Sequence, residues 1–112
     1  MKDVITSNYK EKKIRVYAAT AITKVIRRLP LKVFAIEFHR IIRNISEVLK
    51  SRDFEIRNNA RKVLIEISSL TGPYFLFMII KELSYMLKRG YQKHILNYTI
   101  YLLLKNMIIK DD

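Results

Sequence analysis

Apolar residues recur three or four positions apart through most of this 112-residue chain, the spacing of helices that bury one face. The pattern is clearest between Ser51 and Gly72, where Ile56, Ala60, Val63, Leu64, Ile67 and Leu70 share one side of a helical wheel. Ser51 and Asp53 precede it, with side chains able to accept the free N–H groups of a first turn. Gly72 can take the left-handed conformation that ends a helix, and Pro73 suits the first turn of the next. The same signals predict helices over residues 9–28, 31–50, 53–70, 73–88 and 91–109.

Each helix carries its own expectation. The first should bury Ile14, Ala18, Ala21, Ile22 and Val25, and the second a continuous stripe from Leu31 through Phe34, Phe38, Ile41, Ile42, Ile45 and Val48 to Leu49. The fourth opens with seven apolar residues, Tyr74 to Ile80, and a helix apolar all round is buried on more than one side. Gly90 is expected to stop it. The fifth has a broad apolar surface that includes Ile95, Tyr98 and Leu102, with no polar cap over its outer face.

One pattern occurs twice. Ile14-Arg15-x-x-Ala18-x-x-Ala21-Ile22 returns as Ile56-Arg57-x-x-Ala60-x-x-Val63-Leu64, 42 residues later, and Pro30 and Pro73 are 43 apart. Two helices per period of this length are the signature of HEAT-type repeats. The fold class expected is therefore all-α, an α-solenoid of HEAT-like repeats forming a single segment over 1–112. Stacked repeats need about three units with polar ends, so the chain reads as a piece of a longer solenoid or as a unit that associates end to end.

Composition narrows the function. Two glycines and two prolines leave room for tight joints but not for a loop-rich fold, and the absence of cysteine removes disulfides, thiolate catalysis and Cys-based zinc sites. The formal charge is +12, and 12 of the 22 basic residues fall in residues 1–50. Such an excess points to an acidic partner, nucleic acid first. The candidates are Lys10, Lys12, Lys13, Arg15, Arg27 and Arg28 on the first helix, then Lys88, Arg89 and Lys93 around the last joint. Arg27 and Arg28 would equally serve the negative end of the helix dipole. A basic amphipathic first helix also fits a membrane surface, but its apolar stripe is better used against the second helix. No apolar run approaches the roughly 20 residues of a membrane span.

No chemistry of catalysis emerges. There is no Gly-rich phosphate loop, and neither His39 nor His94 has a second ligand at metal spacing on its own helix face. No enzyme activity, metal or cofactor is expected. A lone His at the position of His39 reads as a boundary residue.

Two resemblances follow from quoted residues. Ser51 to Leu64 resembles the turn and second helix of the HEAT repeat, with Ile56, Arg57 and Ala60 on the motif; Ser51 stands where that repeat favours Asp, and Asp53 falls two residues later. More specific are Arg57-Asn58-Asn59-Ala60-Arg61-Lys62-Val63-Leu64, Gly72-Pro73-Tyr74-Phe75-Leu76, Glu82-Leu83 and Arg89-Gly90-Tyr91-Gln92-x-His94-x-Leu96-x-Tyr98-Thr99. These resemble the U3 small nucleolar RNA-associated protein twenty family, very long α-solenoids. That resemblance implies a nuclear, nucleolar, non-catalytic scaffold of the small-subunit processome, with pre-rRNA or ribonucleoprotein and processome proteins as partners. Gln92 and His94 could bridge the helix joint by hydrogen bonds or touch a ligand, the first being favoured. The alternative function is a generic helical-repeat adaptor that binds protein only.

Overall fold

The computed structural model describes residues 18–111, with side chains through residue 108. All regular structure among them is helical. The chain is helical over 18–26 (α1), then over Leu31–Leu49 (α2), Phe54–Thr71 (α3), Pro73–Met86 (α4) and Gln92–Asp111 (α5). Residues 9–17 of the expected first helix, with Lys10, Lys12, Lys13, Ile14 and Arg15, lie outside the described residues.

Local chemistry sets the joints. Asp53 caps α3, its Oδ1 accepting from the N–H groups of Glu55 at 2.9 Å and Ile56 at 3.4 Å. Ser51 Oγ in turn accepts from the Asp53 N–H, and Arg57 reaches back to donate to the Ser51 carbonyl at 2.8 Å. Thus the tight 50–53 link is held from both sides. Gly72 alone joins α3 to α4. Its φ of 83° and ψ of −178° lie in a region essentially closed to residues with a Cβ, and its N–H closes α3 on the Ser68 carbonyl. Pro73 opens α4 at a position where a missing N–H breaks no bond.

The last joint differs from expectation. Helix α4 ends at Met86, not near residue 88, and Leu87 leaves the helical conformation (φ −111°, ψ 63°). The reason is local: the buried Leu87 turns its side chain into the core and its N–H still closes on the Leu83 carbonyl. Gly90, at φ 42°, belongs to the turn that starts α5 rather than to the stop of α4. There Gln92 Oε1 accepts from the Arg89 N–H at 3.3 Å, half of a capping box.

From α2 onward each helix packs on the next, and α2 and α3 also pack on the next but one: α2 touches α3 and α4, α3 touches α4 and α5, and α4 touches α5. The core runs between them through Phe38, Ile42, Ile45, Leu49, Ala60, Leu64, Ile67, Ile79, Leu83, Leu87 and Leu103. Phe34 and Phe38 of α2 stack at 5.2 Å, and Phe75 of α4 meets both edge-on at 4.9 and 5.5 Å. Buried hydroxyls of Thr23, Ser46, Ser68 and Thr99 each donate to a carbonyl three or four residues back, so they enter the core satisfied.

Three expected faces are corrected. In α1 the buried residues are Ala19, Thr20, Thr23 and Ile26, whereas Ala21, Ile22 and Val25 are exposed. The small alanines leave an open apolar groove, with Ala18, Ala19 and Ile22 on one wall and Ile41, Ile45 and Val48 on the other. In α2, Leu31 is exposed beside the first joint while the rest of the stripe is buried. Helix α4 is not covered all round: Tyr74, Phe77 and Tyr85 face outward, because its partners α2, α3 and α5 leave one side of the helix open. On α5 the buried row is Ile95, Thr99 and Leu103, and Tyr98 is half exposed. Tyr101, Leu104 and Ile108 remain exposed, so the outer flank of α5 is apolar and open.

Candidate nucleic-acid interface

The basic candidates separate into two groups. Arg27 and Arg28 are exposed in the 27–29 turn after α1, and Arg27 shares a shallow groove with Leu70, Thr71 and Phe75 at the α3–α4 joint. From that joint α4 runs away for 14 residues, about 21 Å at 1.5 Å per residue. Lys88, Arg89 and Lys93 are exposed at its far end. Lys88 Nζ lies 4.4 Å from the centroid of the Tyr85 ring. The two groups therefore sit at opposite ends of the helices and form no single patch. His94 and Tyr91 are exposed at the same far end, and Gln92 is half-buried in its cap.

Between the two ends runs a groove that helix-face reasoning missed. One side is α2, with Ile36, His39, Arg40 and Arg43; the other is α4, with Phe77, Met78, Lys81 and Tyr85. Its floor is Glu82, a buried carboxylate. Glu82 accepts from His39 Nε2 at 2.6 Å on one oxygen and from Arg43 Nε at 3.1 Å on the other. His39 and Arg43 are one turn apart on α2, so both project toward the same point on α4. With both of its oxygens engaged, Glu82 presents little free negative charge to the groove. Arg40, half-held by Glu37 at 3.6 Å, and the exposed Lys81 keep the walls basic. The sequence signal for this site was present but split. His39 and Arg43 are four apart, and Glu82 lies 39 residues beyond Arg43.

A second polar tie lies between α3 and α5. Arg61 is only 4% exposed. Its Nε donates to Thr99 Oγ1 at 3.1 Å, and its guanidinium lies 4.7 Å from the centroid of the Tyr98 ring. No carboxylate pairs with it among the described residues, and one of its terminal nitrogens, like Arg57 Nε, has no hydrogen-bond partner there. Burial first, and the nearby Arg57 charge second, hold Arg61 below the usual guanidinium range, with Tyr98 opposing. A guanidinium stays charged regardless, so the strain is electrostatic. Replacing it by a hydrophobe of similar length should relieve that strain, since swapping buried charges for packed apolar groups is often neutral or stabilising. Arg61→Met is expected to stay within about 1 kcal/mol of the parent or to gain stability in urea unfolding. A loss above roughly 2 kcal/mol, within the range of a lost charge-assisted hydrogen bond, would show that the contacts to Thr99 and Tyr98 outweigh the burial of the charge.

Among the described residues no three His, Cys, Asp or Glu side chains gather as metal ligands, and no helix is long and apolar enough to cross a membrane.

The U3 small nucleolar RNA-associated protein 20 domain matches residues 6–112. U3 small nucleolar RNA-associated protein 20 of Schizosaccharomyces pombe is 36% identical over 91 residues, 81% of this chain and 4% of that protein. Its Saccharomyces cerevisiae namesake is 45% identical over 67 residues, 60% of this chain and 3% of that protein. The chain thus spans a few per cent of the length of these curated relatives. With nearly its whole length inside one domain family, and the quoted Arg89–Thr99 run within the match, the chain belongs to the U3 small nucleolar RNA-associated protein 20 family.

Proposed function

We propose that this chain is a non-catalytic scaffold segment of the small-subunit processome, acting in the nucleolus on the pre-rRNA that leads to 18S rRNA. In this reading residues 1–112 form one run of HEAT-like repeats within a solenoid. Its exposed cations rest on RNA phosphates, and its flanks rest on processome proteins. The observation that carries the proposal is the family match over 6–112, joined to relatives named for association with U3 small nucleolar RNA. The next-but-one helix contacts suit a repeat stack, and phosphate contacts of this kind position RNA without reading its sequence.

The test is recovery of the tagged chain from nuclear extract, with and without nuclease, probing for U3 small nucleolar RNA and 18S precursors. Enrichment of both, and loss of co-purifying proteins after nuclease, is the expected result. Recovery of proteins unaffected by nuclease, with neither RNA enriched, would favour the protein-only adaptor. Binding to single-stranded RNA should also fall with salt, by a log–log slope of about −0.7 per neutralised phosphate. A salt-insensitive affinity would remove RNA from the proposal. The open flank of α5, with Tyr101, Leu104 and Ile108, favours an adjoining repeat or a second copy as an additional neighbour.

A further inference from the structure

The groove between α2 and α4 holds two kinds of group, exposed aromatic rings and cations. Phe77 is 79% exposed and Tyr85 61% exposed. They stand two helical turns apart on the same ridge of α4, about 12 Å along the axis. Lys81 lies midway between them on that ridge, and Lys88 sits against the Tyr85 ring. Arg40 and Arg43 line the opposite wall, and the one acidic group at the floor, Glu82, already accepts from His39 and Arg43.

The occupant can be argued from what each partner would leave unused. An acidic peptide would engage Lys81, Lys88 and Arg40 but leave both rings in water. An apolar protein face would cover the rings but bury Lys81 and Lys88, which have no carboxylate beside them among the described residues. Single-stranded RNA uses both, its bases stacking on aromatic faces while its phosphates meet the cations between them. A duplex would not serve, because its base faces are already stacked and its edges lie in grooves. We infer that the α2–α4 groove is a single-stranded RNA site in which bases stack on Phe77 and Tyr85 and phosphates lie against Lys81, Lys88 and Arg40. The inference rests on reading the chain as an RNA-contacting scaffold, and adds where the strand lies and how it is held.

The experiment is an anisotropy titration of the full chain with a labelled single-stranded oligoadenylate of about twelve nucleotides, within the usual footprint of such sites. The double variant Phe77→Ala, Tyr85→Ala should weaken binding by roughly 5- to 150-fold for each stacked base. It should leave the salt slope unchanged, because every cation remains. Lys81→Gln with Arg40→Gln should do the converse, making the slope shallower by roughly one to two phosphate equivalents. Both pairs are exposed side chains, and matching thermal melts with the parent show that the variants fold. An oligoglutamate peptide of similar charge serves as the competing probe, and its affinity should not respond to loss of the rings. If the ring variant binds oligoadenylate within twofold of the parent, this inference is overturned while the scaffold reading stands. It is also overturned if the peptide binds more tightly than RNA and weakens by the same factor, for then the groove takes protein. If the parent chain fails to bind oligoadenylate even at low salt, the RNA-contact reading itself falls.

Discussion

Phe38→Ala should unfold this protein at far lower denaturant than the parent, with a loss of about 3–5 kcal/mol. Phe38 has no solvent exposure and sits between Phe34, stacked on it from the same helix, and Phe75, edge-on from α4. Its truncation removes the transfer free energy of a whole ring. It also leaves a cavity that the two remaining rings cannot close without abandoning their own contact at 4.9 Å. A domain of this size has only about 5–15 kcal/mol in hand, so the variant would retain a small margin or none. Phe77→Ala is the internal control. That ring is exposed, and surface changes away from special features stay within about 0.5 kcal/mol. Urea unfolding followed by circular dichroism gives both numbers. Equal midpoints for the two variants would mean that the aromatic cluster between α2 and α4 does not organise the core.

The second large effect is at Gly72. Gly72→Ala should cost about 1–3 kcal/mol, the scale of holding a residue in a sparsely allowed backbone region. A melting temperature lowered by about 4–8 °C for each kcal/mol is expected. The cause is conformational. A Cβ built at Gly72 meets no atom within 4 Å, so there is space, but φ +83° with ψ −178° is closed to an L-residue. The entropy that alanine removes from the unfolded chain, worth about 0.4–1 kcal/mol, acts in the opposite direction and is too small to cancel the strain. A semisynthetic protein with D-alanine at the same position separates the two effects. Its mirror preference suits the observed angles, so it should match or exceed the parent. If the L- and D-alanine proteins melt together, the backbone at this joint is not as described.

What the sequence made legible was local. Asp53, Gly72 and Pro73 announce helix ends because a cap, a positive φ and a missing N–H act within a few residues. The periodic stripe of α2 was readable because its buried residues, Ser46 apart, are large and aliphatic or aromatic, and that of α3 was readable through Val63, Leu64 and Ile67. The family resemblance was readable too, from Arg89-Gly90-Tyr91-Gln92 onward, and the family match spans that run.

The misplaced parts depend on neighbours. Helix α1 was rotated by one position because Ile22 and Val25 outweigh Ala19 and Thr23 in hydrophobicity. Thr23 can nonetheless be buried once its hydroxyl donates to the Ala19 carbonyl at 2.8 Å. For α4, apolar composition on all sides suggested burial on all sides, but composition does not count how many helices surround it. Arg61 was named only within the Arg57–Leu64 run, and nothing local there marks it for burial. Only α5, bringing Thr99 and Tyr98, makes its burial tolerable. Glu82 was legible only as part of a motif, since its place in the structure depends on His39 and Arg43 of another helix.

The skip-one packing has a mechanical consequence. Apolar surfaces in contact can slide by fractions of a turn at little expense, whereas a directional bond tolerates almost no offset. One rank of the array carries such a fastener where Glu82 of α4 grips His39 and Arg43 of α2. The other carries two, Arg61 to Thr99 and Asn106 to Ser69, from α3 to α5. With both ranks pinned, longitudinal slip in one cannot be taken up by the other. The array then behaves as a stiff body rather than a spring, and under the proposed RNA reading it keeps the cations of α2 at a fixed offset from the aromatic rings of α4.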